Sequence, residues 1–105
     1  MIGAREWLAS RTPAPPAELA RRLADIAADR ECTDVIELSE FLVDEAVNIL
    51  ESLSDDRSGA FDLLVADSLI TYALEAAGED CANVESIAGI AMQRVASVAS
   101  REAKP

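Results

Sequence analysis

Carboxylates are the side chains of this sequence that could do chemistry, and they are concentrated in residues 34–53. Asp and Glu make up 20 of the 105 residues, and histidine is absent. The acids of this stretch recur every three or four residues, so on a helix most of them share one face. We call this face the acidic ridge; it consists of Glu37, Glu40, Asp44, Glu45 and Glu51. A ridge of this kind could dock a basic protein surface or simply keep the chain in solution.

A buried transition-metal site is not expected from these carboxylates. Helical di-iron proteins hold their metals with inward-facing Glu and Glu-x-x-His motifs. This chain has no histidine, and its ridge lies opposite the apolar stripe of the same helix. No short oxygen-rich loop resembles a calcium site. The sequence therefore predicts no metal and no cofactor.

Nucleophilic catalysis lacks its usual partners in this sequence. A Ser or Cys nucleophile requires an adjacent base and an oxyanion hole, and the single lysine is Lys104 in the tail. The cysteines, Cys32 and Cys81, are too few for a disulfide framework or a structural zinc site. We expect both to be reduced thiols, with a redox switch as the alternative. The sequence predicts that the chain is not an enzyme.

Residues 66–69, Ala-Asp-Ser-Leu, resemble the attachment motif of acyl and peptidyl carrier proteins. Those proteins are small, acidic and four-helical, and they carry phosphopantetheine on the serine of a DSL motif. Phe61 and the Ala-Leu-Glu of residues 73–75 extend the resemblance on both sides. The sequence departs from the family at Val65, where a glycine usually marks the change from loop to helix. The resemblance implies a phosphopantetheine on Ser68, and a carrier protein is the alternative function.

The element that must position these groups is residues 61–77, FDLLVADSLITYALEAA. On a helical wheel its apolar side chains fill an arc of roughly 200°, about twice the width that a surface helix needs. Asp67, Ser68, Thr71 and Glu75 lie on the opposite side. We therefore predict an uninterrupted central helix that neighbouring helices cover on more than one side.

Three further helices are predicted around it. The first runs from about Pro16 to about residue 30, since proline suits a first helical turn. The second runs from about Asp34 to about residue 53; Thr33 or Asp34 can be its N-cap, and Asp34 with Glu37 has the spacing of a capping box. The central helix ends at Gly78, and the last helix runs from residues 80–83 to about residue 103. Its apolar stripe consists of Val84, Ile87, Ala91, Val95 and Val98, with Ile90 and Met92 adding width. The expected fold is an all-α, up-and-down four-helix bundle.

The N-terminal residues are predicted to form a short helical or extended appendage to this bundle. Residues 1–11, which we call the hook, contain the apolar anchors Ile2, Trp7 and Leu8. The strap that follows, residues 12–16, has three prolines, which disfavour helix. We predict residues 1–15 as hook and strap and residues 16–105 as the four-helix domain. Trp7 either plugs one end of the bundle or inserts into another chain.

Charge excludes several classes of partner. The net charge is −11, distributed as +1 over residues 1–30, −9 over residues 31–62 and −3 over the remainder. This negative field repels phosphate, so we expect no nucleic-acid binding and no binding to anionic membranes. Arg5 and Glu6 interrupt any secretory signal, and no window reaches the ~20 apolar residues of a membrane span. The sequence predicts a cytoplasmic protein.

These patterns favour a non-enzymatic helical module for protein–protein interaction or assembly, either a homodimer or a small subunit of a larger complex. The partner would be a basic protein surface or the arginines of residues 1–30 in a second copy, namely Arg5, Arg11, Arg21 and Arg22. Trp7 would anchor the interface, and the ridge would steer the partner or act only in solubility. The predicted partner-binding residues are Trp7, Glu37, Glu40, Asp44 and Glu51.

Overall fold

The structure, a computed structural model, describes residues 1–80 and 84–102, which form five helices and one two-stranded sheet. The expected all-α class is confirmed, because the sheet comprises two strands of two residues each. In chain order the elements are β1 (Ile2–Gly3), α1 (Ala4–Ala9), α2 (Ala17–Ala27), β2 (Glu31–Cys32), α3 (Val35–Glu51), α4 (Arg57–Gly78) and α5 (Val84–Glu102).

The starts of α3 and α4 are set by aspartate caps. The Asp34 carboxylate accepts a hydrogen bond from the backbone N–H of Glu37 at 2.9 Å, so Asp34 rather than Thr33 is the N-cap of α3. Asp56 caps α4 in the same way, accepting from Gly59 N–H at 3.2 Å. Each cap supplies a partner for one of the N–H groups that a helix start leaves unpaired. The central helix is confirmed as uninterrupted, and it begins four residues earlier than predicted.

Two chain reversals differ from the sequence prediction. Helix α2 ends at Ala27 rather than near residue 30, because Ala28 has φ 44° and Arg30 N–H donates to Ala27 C=O at 2.9 Å in a tight turn. Gly78 is the last helical residue of α4, as predicted. It does not adopt the positive φ of the usual C-terminal glycine cap, since no described glycine has a positive φ.

The small sheet was not predicted. Strands β1 and β2 are antiparallel, with Ile2 opposite Cys32 and Gly3 opposite Glu31. Strands this short show no alternating pattern in the sequence, and tertiary packing alone brings them together.

The core lies mainly between α3 and α4, which share the most extensive helix contact in the described residues. Leu38 and Leu42 of α3 and Val65 and Leu69 of α4 are fully buried there. Helix α5 packs against both of these helices, while α2 contacts α4 and α1 packs on α2. Ala4, Trp7 and Leu8 of the hook belong to the same continuous core.

Within the described residues, no helix is both long enough and apolar enough to cross a membrane. The predicted start of the last helix falls partly on residues 81–83 and its predicted end on Ala103. These residues, like Cys81 and Lys104, lie outside the described residues.

Candidate interaction site

Trp7 lies in a cage built from the hook and the C-terminal end of α4. Its indole Nε1–H donates to Glu79 Oε1 at 3.2 Å. The Arg11 guanidinium lies over the indole at 3.9 Å from the ring centroid, and Tyr72 meets the ring edge-on at 6.5 Å. An Arg11 nitrogen is also 3.8 Å from Glu79 Oε1. The cage therefore combines a hydrogen bond, a cation–π contact and an aromatic pair around one side chain.

The cage leaves little of Trp7 on the surface, since the residue is 9% exposed. This position matches the interpretation of Trp7 as a plug at one end of the fold. Contact between Trp7 and another chain requires the side chain to leave this cage. The anchoring role of Trp7 in a partner interface remains a prediction.

The N-terminal part of the acidic ridge is paired within the chain. Glu37 accepts a hydrogen bond from the Thr33 hydroxyl at 2.6 Å and from the Arg30 guanidinium at 3.4 Å. The hydrogen bonds from Thr33, assisted by the positive charge of Arg30, lower the pKa of Glu37. The Arg30 guanidinium also lies 5.0 Å from the Phe41 ring centroid. A side-chain hydrogen bond with Cys32 raises the pKa of Arg30.

The middle of the ridge is paired as well, because Asp44 forms an ion pair with Arg94 of α5. The sequence shows no lysine among the ridge carboxylates, which suggests uncompensated charge. That expectation is corrected by arginines from distant elements, Arg30 and Arg94. Glu40 and Glu51 are exposed on the same helix. Part of the negative charge of the acidic ridge is therefore neutralised by arginines of the same chain.

The arginines predicted to receive a ridge from a second copy are largely engaged already. Arg11 covers Trp7, Arg22 lies 3.7 Å from Asp62, and Arg5 lies 3.8 Å from Asp29. Arg21 is exposed on α2. Three of these four arginines therefore contact acids of their own chain, namely Asp29, Asp62 and Glu79.

Large apolar side chains are exposed on α4 and α5, and sequence reasoning missed them. Ile90 and Met92 were expected to widen the buried stripe of the last helix, and this prediction is wrong. Ala91 and Val98 are buried, whereas Ile90 is 47% exposed and Met92 is 62% exposed. On a helical wheel they lie about 100° to either side of Ala91, beyond the reach of α3 and α4. Leu63 and Leu64 of α4 are also about half exposed.

Ser68 lies in the interior of α4, twelve residues into the helix. Its hydroxyl donates to the Leu64 carbonyl at 3.0 Å, a bond within its own helix. Beside it is an open cleft of about 260 Å³ between the strap and α4, lined by Thr12, Pro13, Asp67, Ser68, Thr71, Tyr72 and Glu75. The helix has no break at Val65, where carrier proteins usually have a glycine.

In the part of the chain that the structure describes, no group of three or more Cys, Asp or Glu side chains converges to hold a metal ion. Cys32 is fully buried as a free thiol. In comparisons with known proteins, no protein-family model, no curated protein and no solved structure matches the chain.

Proposed function

We propose that this chain is a cytoplasmic, non-enzymatic helical module that associates with itself or with a basic protein surface. The observation that carries the proposal is the exposure of four large apolar side chains on α4 and α5. Each of them is about half exposed or more: Leu63, Leu64, Ile90 and Met92. Exposed apolar groups of this size on two neighbouring helices favour association, because covering them removes apolar area from water.

Where the partner is a different protein rather than a second copy, the charge distribution favours a basic one. Glu40 and Glu51 remain exposed on the ridge, and the chain carries a net charge of −11. A basic surface would approach this side faster than a neutral one, since complementary charge raises association rates. Nucleic acids and anionic membranes are repelled by the same field.

We further propose that α2, α3, α4 and α5 work as an up-and-down four-helix bundle and that residues 1–15 form its hook and strap. In favour of this, α3, α4 and α5 all contact one another, and α2 contacts α4.

The experiment is light scattering of the purified chain over increasing concentration, with and without Met92→Gln and Ile90→Gln. Both positions are exposed, so the variants fold as the wild type does. We expect a wild-type dimer that weakens by about tenfold in the double variant, as expected for loss of roughly 1.4 kcal/mol. Gln93→Ala, on the same exposed side of α5, is the matched control. Trp7→Ala is unsuitable because it removes a core side chain.

A wild type that is monomeric at every concentration, and that captures no basic protein from the native host, would contradict the proposal.

The carrier-protein alternative has a separate test. Incubation of the chain with a phosphopantetheinyl transferase and coenzyme A, followed by intact-mass measurement, detects the added group on Ser68. Ser68→Ala is the control that must abolish any such gain. We expect no mass gain, because the Ser68 hydroxyl is bonded inside an unbroken helix. Modification of Ser68 would replace our leading proposal.

A further inference from the structure

The hook is held by contacts that all reach across the strap. Ala4 N–H donates to Arg30 C=O at 2.9 Å, next to the β1–β2 pair. Trp7 donates to Glu79, and Arg5 lies 3.8 Å from Asp29. Every one of these partners lies beyond residue 16. The hook therefore lies in a groove formed by the rest of the chain, which includes Asp29, Arg30 and Glu79.

The hook is not expected to keep its structure without the rest of the chain. Helix α1 has six residues, whereas isolated helices shorter than ~12–15 residues are marginal in water. Its buried side chains, Ala4, Trp7 and Leu8, belong to the core that the rest of the chain forms. A hook that has left its groove is therefore expected to lose its helix and to be able to bind the groove of either chain.

The strap opposes the closed arrangement. Three of its five residues are proline, and proline-rich segments favour an extended backbone of about 3.1 Å per residue. In the closed chain the strap must instead turn back so that α1 packs beside α2. This reversal leaves an apolar cleft of about 200 Å³ beneath the strap, lined in part by Leu8, Ala14, Pro15 and Leu23.

From these observations we infer that a second copy of this chain is the partner of the groove, and that two copies exchange hooks. In the exchanged pair each hook makes with the other chain the contacts it makes with its own. Exchange of an identical element is a low-cost route to a dimer because no new interface is needed. Only the strap changes its path, straightening as its prolines favour. The inference rests on the proposed self-association through the exposed apolar side chains of α4 and α5, and it adds the hook as a second contact between the two copies.

Charge complementarity supports the same partner. The hook carries Arg5 and Arg11 against a single acid, Glu6. Its groove presents Asp29 and Glu79 to these arginines. An exchanged hook makes the same pairs with the other chain, so exchange keeps this attraction.

The test is a disulfide between β1 and β2. Ile2 lies directly opposite Cys32, and facing residues of an antiparallel pair have Cα atoms about 4.5–5.5 Å apart, within the range of a disulfide. The variant is Ile2→Cys with Cys81→Ser, so that the native Cys32 is the intended partner. The variant is oxidised at chain concentrations up to about 1 mM, because a short strap holds the hook near its own groove at an effective concentration of about this size. A non-reducing gel detects covalent dimers, and light scattering measures the oligomeric state. The same variant with Cys32→Ala is the control.

We expect a dimer that oxidises to a covalent dimer, in which the cysteine introduced by Ile2→Cys in each chain is bonded to Cys32 of the other. A dimer that oxidises only to cross-linked monomers overturns hook exchange and leaves the proposed association standing. A monomer at every concentration overturns both.

A second variant tests the strap itself. Inserting eight Gly and Ser residues between Ala14 and Pro15 keeps every hook contact and lets each hook return to its own groove. We expect dimerisation to weaken by about tenfold or more. The same insertion between Leu53 and Ser54 is the matched control and should leave dimerisation unchanged. Equal weakening by both insertions, or by neither, contradicts hook exchange.

Discussion

At Ala28 the backbone adopts φ 44° and ψ −122°, a conformation suited to glycine. The Arg30 N–H to Ala27 C=O bond makes Ala28 the first central residue of a turn, and these angles are typical of type II′. A non-glycine residue held in such a region costs of order 1–3 kcal/mol. The turn is retained because it carries the chain from α2 directly into β2.

Ala28→Gly should therefore stabilise the protein by about 1 kcal/mol, after allowance for the greater flexibility of glycine in the unfolded chain. Urea unfolding followed by circular dichroism measures the change. Ala24→Gly, inside α2, is the matched control and should destabilise by about 1 kcal/mol. Destabilisation by both substitutions would contradict the assignment of strain to Ala28.

Glu37 provides a prediction on pH. Hydrogen bonds from Thr33 lower the pKa of its carboxyl in the folded chain. A lowered pKa means that the charged form stabilises the fold above the unfolded value of about 4.3. This contribution is lost as the pH falls through the lowered pKa. Glu37→Gln should therefore lower the free energy of unfolding near neutral pH, and the difference from wild type should shrink below about pH 4.

Urea titrations at a series of pH values measure this difference. Glu40→Gln, which removes an exposed carboxylate of the same helix, is the control for the loss of one negative charge. A Glu37→Gln difference that stays constant from neutral to acid pH would contradict the role of the Thr33 bond.

At the scale of the elements, the contact between α3 and α4 depends on one buried polar group. Ser39 is 0% exposed, and its hydroxyl donates to the Ala73 carbonyl at 2.7 Å. The bond joins residues 34 positions apart, so it sets how the two helices lie along each other. Around it the interface is made of aliphatic side chains, which define the register less strictly.

Ser39→Ala should destabilise the protein by about 1 kcal/mol, the net value of a buried hydrogen bond. Ser68→Ala is the matched control, because its hydroxyl donates to a carbonyl of its own helix. The control should change stability by less than about 0.5 kcal/mol. Thermal unfolding of both variants separates a bond between helices from one within a helix. Equal effects of the two substitutions would contradict this role for Ser39.

The hook is the second element with a testable contact. Trp7 is the single tryptophan of the chain, so its fluorescence reports on hook docking alone. Glu79→Ala removes the acceptor of the indole N–H and should shift the emission to longer wavelength and increase quenching by acrylamide. Glu79→Gln keeps an acceptor and should have a smaller effect. Glu75→Ala, one turn earlier on α4, is the control. Equal emission from all three variants would contradict the cage.

At the scale of the whole molecule, the net charge of −11 predicts electrostatic repulsion within the chain. Residues 31–62 carry a net charge of −9, and the arginines that pair with the ridge, Arg30 and Arg94, offset only part of it. Salt shortens the range of such repulsion from about 10 Å at 0.1 M to about 3 Å at 1 M. Exposed ion pairs such as Asp44–Arg94 contribute little in comparison.

The melting temperature should therefore rise between about 0.1 M and about 1 M NaCl, by a few degrees if ~1 kcal/mol of repulsion is screened. Arg94→Gln should increase this gain, because it leaves Asp44 without its arginine. Glu45→Gln should decrease the gain by removing one ridge charge. A melting temperature that falls with salt, or equal gains in both variants, would contradict the predicted repulsion.

The sequence alone determined the four longer helices apart from their ends, because periodic patterns and capping residues act over four residues or fewer. Asp34 begins α3 as predicted, and the broad apolar arc of residues 61–77 predicts the buried, unbroken α4. The charge distribution needs no structure either. These features depend on local backbone bonds and on composition, which the sequence states directly.

Tertiary structure decided which side chains meet. Arg94 reaches Asp44 across 50 positions and Trp7 reaches Glu79 across 72, distances over which no local pattern operates. The exposure of Ile90 and Met92 depends on how wide a face α3 and α4 cover, and the β1–β2 pair depends on where the hook docks. Helix packing sets all of these, because its geometry arises from the whole set of side chains rather than from any one stretch.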